Sequence, residues 1–382
     1  MAKQWIQVRL IAALLMILSF TPTWACRLML VMQTTPNASV ALPYFSTHSR
    51  SLQQQATLTT PVYQFAGQST EINARVVLSA RDGVGVALFS SSNPEKPHQE
   101  DAPLLVFKQV ESLASKPDVF IQLLQQSLPH SVTTLAVVRE ATQGSLKLEN
   151  THPFSFTLTP TEGGRWAMGG NGTVKITPRQ YTNWVDDERL LRPRLPENDS
   201  DALAQILLNA MVDAMDSRAV RKHAQSWQSP LESDTVVRGI LTRFNEVLAL
   251  QRPSTPSPFN AKESLGQRRS GHPPSLGGEA TTTPNSSYRY QAHQNVILTN
   301  GQSSLVIVHE HPLWYRFEYA PTDTSTPTAV IFASEPTDIA EYYTRHQQQY
   351  PVTQSRWQQV PNNTGIRSVR TPEGLRLTWF GL

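Results

Sequence analysis

Apolar positions along this chain fall into short runs separated by turn residues. Residues 26–32 (CRLMLVM), 84–89 (VGVALF), 134–139 (TLAVVR), 154–158 (FSFTL) and 165–170 (RWAMGG) are rich in β-branched, aromatic and long apolar side chains, and their length predicts strands. Residues 201–215 (DALAQILLNAMVDAM) and 233–250 (SDTVVRGILTRFNEVLAL) instead repeat apolar positions at helical spacing, and each starts near an Asp or Ser suited to capping. Strand runs resume at 295–301, 304–310, 314–319 and 328–335, and Asn300-Gly301 between the first two is a hairpin signal. Several of these strands are apolar on both faces. Such strands must be covered on both sides, so the pattern predicts an α+β chain with helices on both outer faces of its sheets.

Two segments depart from this pattern. Residues 251–287 contain RPSTPSPFNAKES and GHPPSLGGEATTTPNSS, dense in Pro, Ser, Thr and Gly with almost no apolar periodicity. Burial there cannot offset the ordering entropy, which predicts a disordered insert. Residues 1–25 combine Lys3 and Arg9, an apolar run from Leu10 to Phe20, and small residues Thr23 and Ala25 at the spacing of a cleavage site. The run is too short to span a bilayer, so the segment reads as a signal peptide and the protein as exported, periplasmic or secreted. The expected organisation is therefore 1–25 signal, 26–250 with 288–382 as one catalytic domain, and 251–287 as the insert.

Charge excludes one class of partner. The chain has 33 basic and 30 acidic residues, and loss of Lys3 and Arg9 with the signal brings the basic total to 31. A nearly neutral mature chain has no electrostatic basis for binding nucleic acid.

The chain contains one cysteine, Cys26, directly after the expected cleavage site. A single cysteine cannot form an internal disulfide. Cleavage after Ala25 would put a thiol and a free α-amine on the same residue. The thiol is then a nucleophile and the amine, with an ordinary pKa of about 7.7–8, its general base. This pair suits acyl transfer from an amide through a thioester, which needs an oxyanion hole. Asn171-Gly172 in GGNGTV offers a side-chain amide, a backbone N–H and room for close approach. The competing use of Cys26 is lipid attachment, for which Thr23 and Trp24 fit poorly. HEH at 309–311 could place two imidazoles on one face of a strand, as a metal pair would need, but no third ligand accompanies them, so they are expected to be exposed strand residues. No phosphate loop or dinucleotide fingerprint is present, and neither metal nor cofactor is expected.

AVVREATQGSLKLENTHPFSF (136–156), RWAMGGNGTV (165–174) and NDSDALAQILL (198–208) resemble successive motifs of the class II glutamine amidotransferase domain, an N-terminal nucleophile hydrolase. CRLM at 26, RDGVGVALF (81–89), NVILTNG (295–301), VIFASEPTD (330–338) and RWQQVP (356–361) are similar to the stand-alone branch that removes γ-glutamyl groups. The resemblance implies a four-layer αββα sandwich and an exported hydrolase of γ-glutamyl amides, with water as acceptor. It also implies roles. Cys26 would be nucleophile and base, and Asn171 and Gly172 would hold the oxyanion. Arg139, Thr142 and Gln143 would bind the substrate α-carboxylate, and Asp199 its α-ammonium. Taken singly these residues have plainer readings: Arg139 as a solvated strand end, Asp199 as a helix cap, Asn171-Gly172 as a hairpin turn. His152 is expected to support its loop. Three positions depart from the family pattern, with Val137 and Gly170 where histidines are usual and Val84 where an aromatic is usual, implying a reshaped pocket. The alternative function is a lipidated or degenerate envelope protein that binds a γ-glutamyl ligand or a protein partner without catalysis.

Overall fold

The computed structural model describes residues 27–36, 84–90, 104–109, 130–138, 148–158, 164–185, 196, 198–216, 229–251, 293–320, 323–334, 336 and 353–382. One antiparallel sheet contains β1 (Arg27–Gln33), β2 (Val84–Ser90), β3 (Leu104–Gln109), β4 (Ser131–Val138), β9 (Trp314–Ala320), β10 (Asp323–Ala333), β11 (Thr353–Gln354) and β12 (Gln358–Gln359). Its order is β11-β9-β10-β1-β4-β2-β3, with β12 also on β9. The other contains β5 (Phe154–Thr157), β6 (Arg165–Thr173), β7 (His293–Thr299), β8 (Ser303–His309), β13 (Thr364–Thr371) and β14 (Gly374–Gly381), in the order β14-β13-β8-β7-β6-β5. The helices are α1 (Pro178–Trp184), α2 (Asp199–Met215) and α3 (Asp234–Ala249).

The two-residue period of a strand explains the layers. In β1, Leu28, Leu30 and Met32 face the second sheet and pack with Ala167, Ile297, Val306 and Ile366. On the second sheet's other side Trp166, Met168, Val296, Leu298, Leu305 and Ile307 pack under α2 and α3. Met29, Val31, Val86, Leu88 and Ile331, on the first sheet's remaining face, are also fully buried. Both sheets are thus covered on both faces. Helix–sheet–sheet is the part of the expected αββα order that the described residues carry.

Local chemistry sets the helix starts. Asn198 caps α2 by accepting from the Asp201 N–H at 2.8 Å, and Ser233 caps α3 by accepting from the Val236 N–H at 3.4 Å. α3 buries only Val236, Val237, Ile240, Leu241, Phe244, Val247 and Leu248, a one-sided stripe that seats it on the second sheet, with Leu241 against Gly365 of β13. The predicted hairpin is present between β7 and β8, where Gly301 has φ +86° and the Asn300 side chain accepts from the Gln302 and Ser303 N–H groups.

The strand and helix positions follow the hydrophobic pattern to within a few residues, except that β3, β11, β12, β13, β14 and α1 are additional. β13 interrupts its apolar run with Arg367 and Arg370, both buried. Arg367 donates to the Leu231 and Glu232 carbonyls at 3.2 and 2.9 Å and to Asp234 at 2.7 Å, so a cation is satisfied inside a strand that would otherwise read as a surface segment. The expected signal segment and residues 252–287 of the expected insert lie outside the described residues. Gln251, at the front of that insert, is described: its side chain accepts from the Lys175 N–H at 3.0 Å and donates to the Lys175 carbonyl at 2.7 Å.

Candidate active site

β6 is the strand on which the site is built. Ala167 and Gly169 face the other sheet, and the alternation puts Asn171 on that same inner face, opposite Asn295 of β7. Asn171-Gly172 is therefore paired strand rather than the hairpin turn that was the plainer reading. Side chains on β6 would hold the sheets apart. A Cβ at Gly169 would lie 2.6 Å from Val137 Cγ2 and 3.0 Å from Leu28 Cδ1, so glycine lets β6 approach β1 and β4 closely. Gly172 has φ +125°, and a Cβ there would lie 2.1 Å from the His293 carbonyl oxygen. At Gly170 the side-chain amide of Gln294 occupies the place, 2.8 Å away, that a histidine would need. Val137, at the other missing histidine position, is spent on packing against Gly169.

Asn171 is buried, and its Nδ2 donates to Ser334 Oγ at 3.1 Å. Ser334 Oγ accepts from the Leu28 N–H at 2.8 Å and donates to the Leu28 carbonyl at 3.2 Å, while the Ser334 N–H donates to the same carbonyl at 2.9 Å. The carboxamide is thereby fastened to Leu28 near the start of β1, two residues from Cys26. Cys26, Arg139, Thr142 and Gln143 lie outside the described residues. Their described neighbours meet nonetheless: Arg27, next to Cys26, is the cross-strand partner of Val138, next to Arg139.

Asp199 is not the cap of α2, a position Asn198 holds, but its first residue. One carboxylate oxygen accepts from the Ile176 N–H at 2.9 Å, which ties the start of α2 to the chain leaving β6. Burial raises the Asp199 pKa, against the lowering effects of the Ile176 hydrogen bond and the Lys175 charge. The structure thus brings Asn171 and Gly172 to the start of β1, and holds Asp199 on an adjoining segment rather than in contact with them.

His152 is buried edge-on to Phe154, with ring centroids 4.6 Å apart. Its carbonyl oxygen lies 2.0 Å from where a Cβ on Gly85 would sit, so β2 runs directly beneath this loop, in keeping with a supporting role. The expectation that the HEH histidines are exposed strand residues needs correction, since His309 is half-buried at the end of β8 and His311 is buried beyond it. Glu310 has φ +52° and turns the chain, His309 pairs with Asn363 Oδ1 at 2.6 Å, and His311 is buried with its ring 5.7 Å from that of His293. The two imidazoles do not share a strand face, and no group of three or more His, Cys, Asp or Glu that could hold a metal occurs among the described residues. No described helix is long and apolar enough to cross a membrane.

Two features escaped sequence reasoning. Ser334 lies within VIFASEPTD, but nothing in a serine at a strand end announces a partner 163 residues away. The second is a buried polar chain: Tyr181 Oη donates to Gln205 at 2.5 Å, Gln205 to Asp201 at 3.2 Å, and Asn198 Nδ2 to Asn150 Oδ1 at 3.3 Å. With Asn198 also capping Asp201, this network joins the loop before β5 to the helix start that carries Asp199.

Comparison with known proteins places this arrangement. Among curated proteins none matches. Solved structures that it resembles include a glutamine phosphoribosylpyrophosphate amidotransferase from B. subtilis (12% identity, TM-score 0.46, 94% of this chain and 50% of that one). Others are a class-II glutamine aminotransferase domain protein from Silicibacter pomeroyi (13%, 0.43, 94% and 100%) and a glutamine amidotransferase described as predicted from Pseudomonas aeruginosa (14%, 0.37, 90% and 96%). The chain thus spans about half the length of the first of these. The family model for class-II glutamine amidotransferases matches residues 54–244, which include Arg139, Asn171, Gly172 and Asp199 and begin after Cys26. With half the chain matched and the sandwich of α+β layers in place, the chain belongs to the class-II glutamine amidotransferases, of the N-terminal nucleophile hydrolase fold.

Proposed function

We propose that this protein is an exported amidohydrolase that cleaves the γ-amide of glutamine or of a γ-glutamyl compound, using Cys26 as an N-terminal nucleophile after removal of residues 1–25. The observation that carries this reading is the buried Asn171 carboxamide fastened through Ser334 to Leu28, which aims an amide donor at the end of β1 that Cys26 precedes. In this mechanism the Cys26 α-amine takes the thiol proton and sulfur bonds to the γ-carbonyl carbon. Asn171 Nδ2 and a backbone N–H at Gly172 stabilise the oxyanion, a stabilisation worth about 10²–10³ in rate for a single donor. The C–N bond breaks, the amine leaves with the proton, and water then hydrolyses the thioester to return the thiol and release a γ-carboxylate.

Arg139 suits the α-carboxylate, which its planar fork can bind through two parallel hydrogen bonds, with Thr142 and Gln143 adding donors. Asp199 suits the α-ammonium. Its carboxylate is partly desolvated, and a substrate cation would offset that cost. The absence of histidine at 137 and 170 leaves a pocket of different shape from the family pattern.

The test is mass spectrometry of the mature N-terminus together with hydrolysis of γ-glutamyl anilide. A free cysteine at residue 26 and loss of turnover in a folded Cys26→Ala variant are expected. Retained turnover in that variant, or a lipidated Cys26, would overturn the reading.

A further inference from the structure

We infer that Ser334 is the positioning residue that sets which end of the Asn171 carboxamide faces the nucleophile. The inference rests on the proposed oxyanion role of Asn171. A serine hydroxyl has one proton and two acceptor sites. Here the proton goes to the Leu28 carbonyl at 3.2 Å, and the two acceptor sites take the Leu28 N–H at 2.8 Å and Asn171 Nδ2 at 3.1 Å. The hydroxyl's capacity is fully committed. If the carboxamide turned over, Oδ1 would face an Oγ whose proton is already given to Leu28, and two acceptors would oppose each other in a buried site. The serine therefore selects the orientation with nitrogen toward β1. A carboxamide nitrogen carries two hydrogens. Ser334 takes one, and the other is the one that the oxyanion reading requires. Because the same Oγ accepts from Leu28, the oxyanion donor and the strand that follows Cys26 share a single anchor. Ser334 touches no reacting atom in this scheme and acts only through Asn171.

The experiment is a double-mutant cycle on the full-length processed protein, with kcat and KM measured on γ-glutamyl anilide and melting temperature on each variant. Asn171→Ala should lower kcat about 100-fold. Ser334→Ala should lower kcat about 10-fold or more with KM within about twofold, because the group it orients acts in the transition state. In the Asn171→Ala background the same serine change should add no further loss, since the carboxamide it orients is gone. Ser334→Thr, which keeps the hydroxyl, should restore kcat to within about threefold of wild type. If Ser334→Ala does not fold, Ser334→Cys serves in its place. A thiol of similar size is a weak acceptor and should still lower kcat several-fold. Wild-type kcat in Ser334→Ala or Ser334→Cys, a loss confined to KM, or losses that multiply in the double mutant would overturn the inference while leaving the function intact. Unchanged kcat in Asn171→Ala would instead remove the oxyanion reading on which it stands.

Discussion

Replacing Gly172 by alanine tests whether β6 must be glycine where the site is built. At φ +125° an L-residue is strained by about 1–3 kcal/mol. The added Cβ would also sit 2.1 Å from the His293 carbonyl oxygen and 2.8 Å from Gln294 Cα, against an ordinary carbon–oxygen contact of about 3.2 Å or more. Both obstacles are backbone of the paired strand and cannot rotate away, so β6 must retreat from β7 by about 1 Å. That retreat loosens the Gly172–Gln294 and Thr173–His293 pairings, at about 1 kcal/mol for each hydrogen bond lost. The total is about 3–5 kcal/mol, which at roughly 2 °C per kcal/mol for a large domain lowers Tm by about 6–10 °C. Asn171, one residue away, would move with the strand, and a misplacement of about 1 Å costs roughly 100-fold in kcat. Gly170→Ala is the internal control. Its φ is ordinary and its nearest obstacle is the flexible end of Gln294 at 2.8 Å, so its Tm should fall by less than about 2 °C. The assay is thermal melting of both variants beside hydrolysis of γ-glutamyl anilide. Equal melting temperatures for the two variants, or wild-type kcat in Gly172→Ala, would refute the reasoning.

Asp199→Asn should separate recognition from structure: hydrolysis of γ-glutamyl anilide should fall at least tenfold, whereas that of the N-acetylated analogue should change little, and equal proportional losses would reduce Asp199 to a helix-start residue. The pKa of Asp199 is raised on folding, so its charged form penalises the fold above its ordinary value of 3.8 and not below it. Asp199→Asn should accordingly gain Tm relative to wild type as pH rises from about 3.5 to 7. The opposite trend would mean that the Ile176 hydrogen bond outweighs desolvation. Arg367→Lys should cost about 2–3 kcal/mol in urea unfolding, because one ammonium cannot replace bonds to the Leu231 and Glu232 carbonyls, Asp234 and Thr378.

What the sequence made legible follows from how local each signal is. β1, β2 and β7 are apolar runs whose burial on both faces is written in their composition, and Asn300-Gly301 carries its turn in two residues. α2 and α3 carry both period and cap. β13 was hidden because its buried Arg367 bonds to carbonyls of a segment more than 130 residues earlier, and no local pattern encodes that pairing. The same holds at the site. Asn171-Gly172 is visible as chemistry beside a glycine pair, whereas its place within paired strand, not in a turn, depends on β7 arriving across a 120-residue interval. Ser334 matters only through the contact it makes, and the HEH run read as exposed strand because the positive φ of Glu310, which turns the chain there, has no residue-type signature.

The bond between Leu28 and Ser334 joins residues 306 positions apart, and β1 lies between β4 and β10 rather than beside its neighbour in sequence. This has a kinetic meaning. A ribosome adding about 5–20 residues per second needs at least about 15 s to travel from Leu28 to Ser334. Throughout that interval β1 has no β10 to pair with, and its apolar face stays open to chaperones or to aggregation. A chain cut before β10 cannot close the first sheet, and one cut before Ser334 cannot orient the Asn171 amide through it. On the proposed mechanism, hydrolytic competence would then require synthesis through Ser334, and shorter products would have no activity of their own.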